Sequence, residues 1–139
     1  LQAVIAEQTP DLADALEHCQ AAATLYDLIQ QLGQRLTTFG ITRLKIIRWL
    51  YGEFYRFNDE ERAVVYARWL EFHQGLTKLI TRFISDQDEA ERTAWLVMCT
   101  LFGYGQLFFN LELRAVATFE AATMTDMLAA LLSQTLPPT

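Results

Sequence analysis

Apolar residues recur at helical spacing along almost the whole chain. Leu12, Leu16, Cys19, Ala23 and Tyr26 form one stripe. Ile46, Ile47, Leu50, Phe54 and Phe57 form a second, and Tyr66, Trp69, Leu70, His73, Leu76 and Ile80 a third. Steps of three and four residues place each set on one face of a helix. No alternating strand pattern is sustained, and no Asn-Gly or Asp-Gly hairpin signal occurs. The prolines are Pro10, Pro137 and Pro138, so nothing from residue 11 to 136 forbids a helix. With 21 Leu and 17 Ala against 5 Val, strong helix formers dominate. The pattern predicts an all-α fold, a single domain over residues 1–139 built as an antiparallel bundle of about six helices.

Local signals place the boundaries. A short helix is expected from Leu1 to about Gln8. Thr9-Pro10-Asp11 combines a capping Thr, a Pro at the first helical position and an acid that suits the dipole. The helix it starts is expected to run toward Phe39, with Gly33 as a bend or break and Gly40 as a stop. A third helix is expected over Ile41 to Phe57. Asn58 with Glu61 makes a capping-box start for a fourth, to about Ile84. Ser85 or Asp86, followed by Asp88 and Glu89, starts a fifth, to about Asn110. Thr118 or Thr123 caps a last helix through about Gln134, and Leu136-Pro-Pro-Thr reads as a frayed end.

At 139 residues and 52% apolar composition, one core can hold the fold without metal or disulfide staples. Cys19 and Cys99 form no disulfide framework and read as small buried hydrophobes in a reducing, cytoplasmic setting. No secretory leader pattern opens the sequence. Seventeen acids against 11 basic residues give a net charge of −6, which argues against this segment gripping nucleic acid itself. Thr93 to Leu111 carries no charge over a length near a bilayer span. Its Gln106, Asn110, Thr93, Thr100 and two glycines favour a helix buried on all sides over a membrane helix.

Candidate chemistry is sparse. His18 follows Asp14 by four residues, which gives either two ligands of one metal or an exposed i,i+4 pair. No second ligand pair is present to complete a zinc site. His73 sits on its apolar stripe either as a satisfied core histidine or as a polar handle inside an apolar pocket. No His-Glu-x-x-His, Gly-x-Ser-x-Gly or Gly-rich phosphate loop occurs. The acids Asp59-Glu60-Glu61 and Asp86 to Glu91 sit at helix starts, where the dipole accounts for them. The reading is therefore a protein that is not an enzyme and needs no cofactor or metal. Arg35, Arg43, Lys45 and Arg48 form a mild basic run that reads as a solvated face, or else as an anion or nucleic-acid contact.

The aromatics carry more information. Seventeen are present, many between Trp49 and Phe109. They build either core or a pocket lined by rings with a few polar tips. The face Trp95, Cys99, Phe102, Gln106 would make one wall. The fifth and sixth helices look too apolar for a lone monomer. Gly103 and Gly105 would let another helix approach, and Met124, Met127, Leu128, Leu131 and Leu132 line the sixth. The pattern suggests a four-helix interface between two copies, or two helices that cover each other within one chain.

Three stretches make the layout resemble the C-terminal regulatory domain of the TetR family of transcriptional repressors. Leu1-Gln-Ala-Val-Ile-Ala-Glu-Gln looks like the connecting helix after that family's DNA-binding module. Arg68 to Phe83 looks like its long packing helix. Asp88-Glu-Ala-Glu-Arg92 opening a helix through Leu101-Phe-Gly-Tyr-Gly105, then Met124 to Leu136, looks like its end. The resemblance implies a homodimer whose last two helices form the interface. It also implies a helix-turn-helix domain before Leu1 through which alone DNA is bound, and a small, largely apolar effector. The effector would tilt the connecting helix and change the spacing of the DNA-reading heads. On that scheme helix faces assign Tyr51, Phe54, Trp69, His73, Trp95, Cys99 and Phe102 to the pocket. Leu101, Gly105, Phe108, Met124, Leu128 and Leu131 fall to the dimer interface. The competing reading is a stand-alone helical adaptor whose aromatics meet a partner protein.

Overall fold

The computed structural model describes residues 12–42, 52–108, 126, 127, 129–131 and 134, with side chains placed for all but 37–42 and 104–108. The expected helix Leu1 to Gln8, Tyr51, the stretch 109–125 with its Thr118 and Thr123 caps, Leu128 and the C-terminal tail lie outside the described residues. Those described are all-helical, with no strand among them. The main helices are α1 (Leu25–Thr42), α2 (Asp59–Ile80) and α3 (Gln87–Phe108), with a 3-10 turn at Phe54–Arg56. Residues 12–17 are helical, as are 126, 127, 129–131 and 134.

The expected helix from Pro10 toward Phe39 is broken, and neither glycine breaks it. Residues 12–17 end in a turn over 18–21, and α1 then starts afresh. The His18 amide makes a helical bond to the Asp14 carbonyl, after which the ladder tightens to Cys19–Leu16, Gln20–Glu17 and Ala22–Cys19. Thr24 restarts the helix, its hydroxyl accepting the Asp27 amide at 3.1 Å. A short hydroxyl side chain offers the backbone this alternative to a continuous ladder. The break also has a distant partner. Arg82 donates from Nη1 to the Gln20 carbonyl and from Nη2 to the Ala22 carbonyl at 3.2 Å. Gly33 and Gly40 both lie inside α1, so Gly40 does not stop it.

The other boundaries follow their capping chemistry. Asn58 accepts the Glu61 amide at 2.9 Å, and Glu61 reaches back to the Asn58 amide at 3.0 Å. This is a complete capping box. Helix α2 ends at Ile80, four residues before the expected Ile84. Arg82 and Phe83 turn back onto Leu79 and Ile80, and Ile84 is buried in the connection. Asp86 rather than Ser85 caps α3, accepting the Glu89 amide at 2.8 Å.

The short link 81–86 makes α2 and α3 neighbours. The pairs His73–Glu91, His73–Trp95 and Phe72–Phe102 show that they run antiparallel. Helix α1 packs on α3 as well. Between them lies one core, with Leu28, Ile29 and Leu32 from α1, Leu76 and Ile80 from α2, and Ala90, Ala94, Val97 and Leu101 from α3. Burying each large aliphatic side chain contributes about 2 kcal/mol. Cys19 from the turn and Ala129 near the chain's end join this core. Gln30 donates to Asp126 at 2.8 Å and holds the terminal helical residues beside α1. A Cβ on Gly75 would stand 2.7 Å from Leu16 Cδ1, so the tip of the Leu16 side chain rests against α2 at this glycine. No described helix is long and apolar enough to cross a membrane.

Arg82→Ala should lower stability by about 1–3 kcal/mol, because charge-assisted bonds to two otherwise unpaired carbonyls are lost together. Urea unfolding checks this, and Arg82→Lys, which lacks the forked geometry, should recover only part of it.

Candidate functional site

Helix α2 carries the chemistry on two of its faces. Near its start Trp69 stacks on Phe54 of the 3-10 turn, with centroids 6.0 Å apart and planes 22° apart. Phe57 and Tyr66 meet the same Phe54 ring edge-on at 5.7 and 5.9 Å. Phe57 and Val65 are buried here in a small second core, and Trp69 packs against both cores. Rings at these distances and angles attract one another beyond the area they bury.

One turn on, His73 is 7% exposed. Its Nε2 lies 3.0 Å from the Glu91 carbonyl oxygen. A carbonyl only accepts, so Nε2 carries the proton of this contact. The ring stacks on Trp95 of α3 at 4.1 Å and 19°. His73 is thus a satisfied core histidine on its Nε2 side. On its other side it lines an open groove of about 420 Å³ with Gln74, Thr77, Lys78, Thr81, Gln87 and Glu91. Thr77 and Thr81 spend their hydroxyl protons on the His73 and Lys78 carbonyls. Gln87 donates to the Glu91 carboxylate at 3.0 Å. Among the described residues, Lys78 has no ion-pair partner and Gln74 no side-chain hydrogen bond.

A smaller notch of about 100 Å³ lies between Leu12, Ala13, Leu16, Arg68, Glu71 and Phe72. Arg68 Nη1 donates to both Glu71 oxygens, at 3.0 and 2.9 Å. Arg68 Nε is buried with no partner among the described residues.

The residues assigned to the pocket from helix faces fall in several places. Phe54 and Trp69 meet in the ring cluster, and His73 and Trp95 meet as a stacked pair. Phe102 lies beside Phe72 at 5.7 Å. Cys99 is exposed on α3, away from the buried setting expected of it. The expected wall Trp95, Cys99, Phe102 is therefore split: Trp95 and Cys99 face outward, while Phe102 packs at the core's edge. Of the residues assigned to the interface, Leu101 is 5% exposed and packs in the core. Leu131 is exposed. Gly105 and Phe108 lie on the last turns of α3, and Met124 and Leu128 lie outside the described residues.

The apolar stripe through His73 does not reveal this groove. The polar positions 73, 74, 77, 78 and 81 share helical spacing too, and that signal was present in the sequence. His18 and Asp14 form the exposed pair, with Nδ1 3.2 Å from the carboxylate. No group of three or more metal-ligating side chains occurs among the described residues. Compared with protein-family models, curated proteins and solved structures, the chain matches none.

The two thiols differ sharply. Burial pushes Cys19 from 9.0 up to about 11, against a smaller downward pull from Arg35. Its Sγ donates to the Ala15 carbonyl at 3.2 Å. At pH 8 a disulfide reagent should titrate Cys99 at once and Cys19 only after unfolding. The raised folded value also gives a sign. Its stabilisation is complete below pH 9.0 and is lost as pH climbs toward about 11. Cys19→Ala should remove that alkaline slope from the unfolding free energy.

Proposed function

We propose that this chain is the dimerising, effector-responsive domain of a transcriptional regulator of the TetR kind. The observation that carries the reading is the outward face of α3. Its buried side presents Ala90, Ala94, Val97 and Leu101 to the core. Its opposite side brings Trp95, Leu96, Cys99 and Gly103 to the surface at helical spacing. Trp95 and Leu96 are 42% and 44% exposed. Among the described residues nothing lies within 4 Å of where a Cβ on Gly103 would stand, which suits the approach of a second helix. Met127 and Leu131, four residues apart near the chain's end, are exposed at 61% and 56%. Large apolar side chains on both of the last helical elements suit a two-fold, self-complementary interface. Because Leu101 points inward, the seam on α3 is drawn through Trp95, Leu96, Cys99 and Gly103. The cluster around Phe54 and Trp69 is the place for a small apolar or aromatic effector, and DNA contact falls to a helix-turn-helix domain before Leu1.

Sedimentation equilibrium tests the reading. The wild-type chain should weigh about twice its 16.0 kDa. Leu96→Asp should weaken association by about 100-fold or more, since it would place a charge in each copy of an apolar seam, while helical circular dichroism is unchanged. A wild-type chain that stays at 16.0 kDa at every concentration would remove the dimer and favour the adaptor reading.

A further inference from the structure

The geometry points to a second binding site on this molecule: the α2–α3 groove at His73 takes a short zwitterion, with an ammonium at one end and a carboxylate several bonds away. It shares no lining residue with the ring cluster around Phe54, and it does not depend on the dimer. A volume of about 420 Å³ is within the range of small-molecule sites. Its charged lining is one cation, Lys78, and one anion, Glu91. A ligand with a single charge would satisfy one and be repelled by the other, whereas a zwitterion satisfies both.

The two charges come from opposite walls of the groove, Lys78 from α2 and Glu91 from α3. The ammonium end therefore belongs beside Glu91, whose carboxylate accepts from Gln87 and keeps lone pairs free. The His73 ring lines the groove at this end. The carboxylate end belongs on Lys78, whose ammonium has no ion-pair partner among the described residues, with the Gln74 amide beside it. The Thr77 and Thr81 hydroxyls already donate to the backbone, so they offer only acceptor lone pairs.

The probe is 6-aminohexanoate, a flexible zwitterion with an ammonium at one end and a carboxylate at the other. Acetate and methylammonium serve as one-ended controls. Titration of the full chain is followed by NMR at the His73 ring nitrogens and the Trp95 indole N–H. The zwitterion should shift both saturably, and each control should do so far more weakly. Lys78→Gln and Glu91→Gln should each raise the Kd about tenfold, the loss of one charge-assisted contact. Both side chains are exposed and Glu91→Gln keeps the carbonyl that holds His73, so thermal melts should not move. A His73 ring unmoved at about 10 mM probe, or variants that bind like the wild type, would overturn the site. Acetate or methylammonium acting as strongly as the zwitterion would overturn the ligand class.

Discussion

The structure depends on α3 burying one narrow, small-residue face. Ala90 and Ala94 sit fully buried at the start of that face, with Val97, Met98 and Leu101 following. Two alanines one turn apart let α2 and α1 come close to the α3 backbone. The larger side chains of those helices, Leu76, Ile80, Leu28, Ile29 and Leu32, then fill the space. Everything else is registered from this contact. It sets His73 against Glu91 and Trp95, brings Phe72 to Phe102, and fixes which side of α3 is left outside.

The same rotation of α3 separates two kinds of surface. On the flank toward α2, the polar ends of both helices converge into a groove with balanced charge. On the outer flank, Trp95 and Leu96 stand exposed beside Cys99 and Gly103. A helix that is apolar nearly all round has its inside chosen by residue size, because only the alanine-bearing face admits neighbours closely enough to reach interior packing density. The bulkier Trp95 and Leu96 are displaced outward. This links the sequence pattern to the assembly proposed here without any further device.

How much of this was legible in the sequence differs element by element. Where a boundary is set within four residues, the sequence contains it: the Asn58–Glu61 box and the Asp86 cap on α3 both follow from local chemistry. The break at 18–24 does not, since Ala21-Ala22-Ala23 favours helix and the carbonyls of Gln20 and Ala22 are held by Arg82, some sixty residues away. The apolar stripe of α2 correctly marks Leu76 and Ile80 as core. Face arithmetic on α3 fails for Leu101 and Cys99, because a nearly uniform apolar helix carries no angular signal about which side meets a neighbour. Tyr66 and Trp69 share the α2 stripe with His73, yet the rings gather on Phe54 instead. That choice is made by the 3-10 turn at Phe54–Arg56, which follows residues the stripe counted as ordinary helix.

The bracing of the early turn by Arg82 has a consequence for how the chain acquires its shape. The carbonyls of Gln20 and Ala22 find these partners only when residue 82 arrives. The α2–α3 hairpin, by contrast, needs only neighbours in sequence and its own caps. Closing the short loop costs little entropy, and closing a loop of some sixty residues costs more. The hairpin therefore closes at a smaller entropic cost than the contact of Arg82 with the turn, and the turn at 18–24 is held only in a chain whose α2–α3 link is in place.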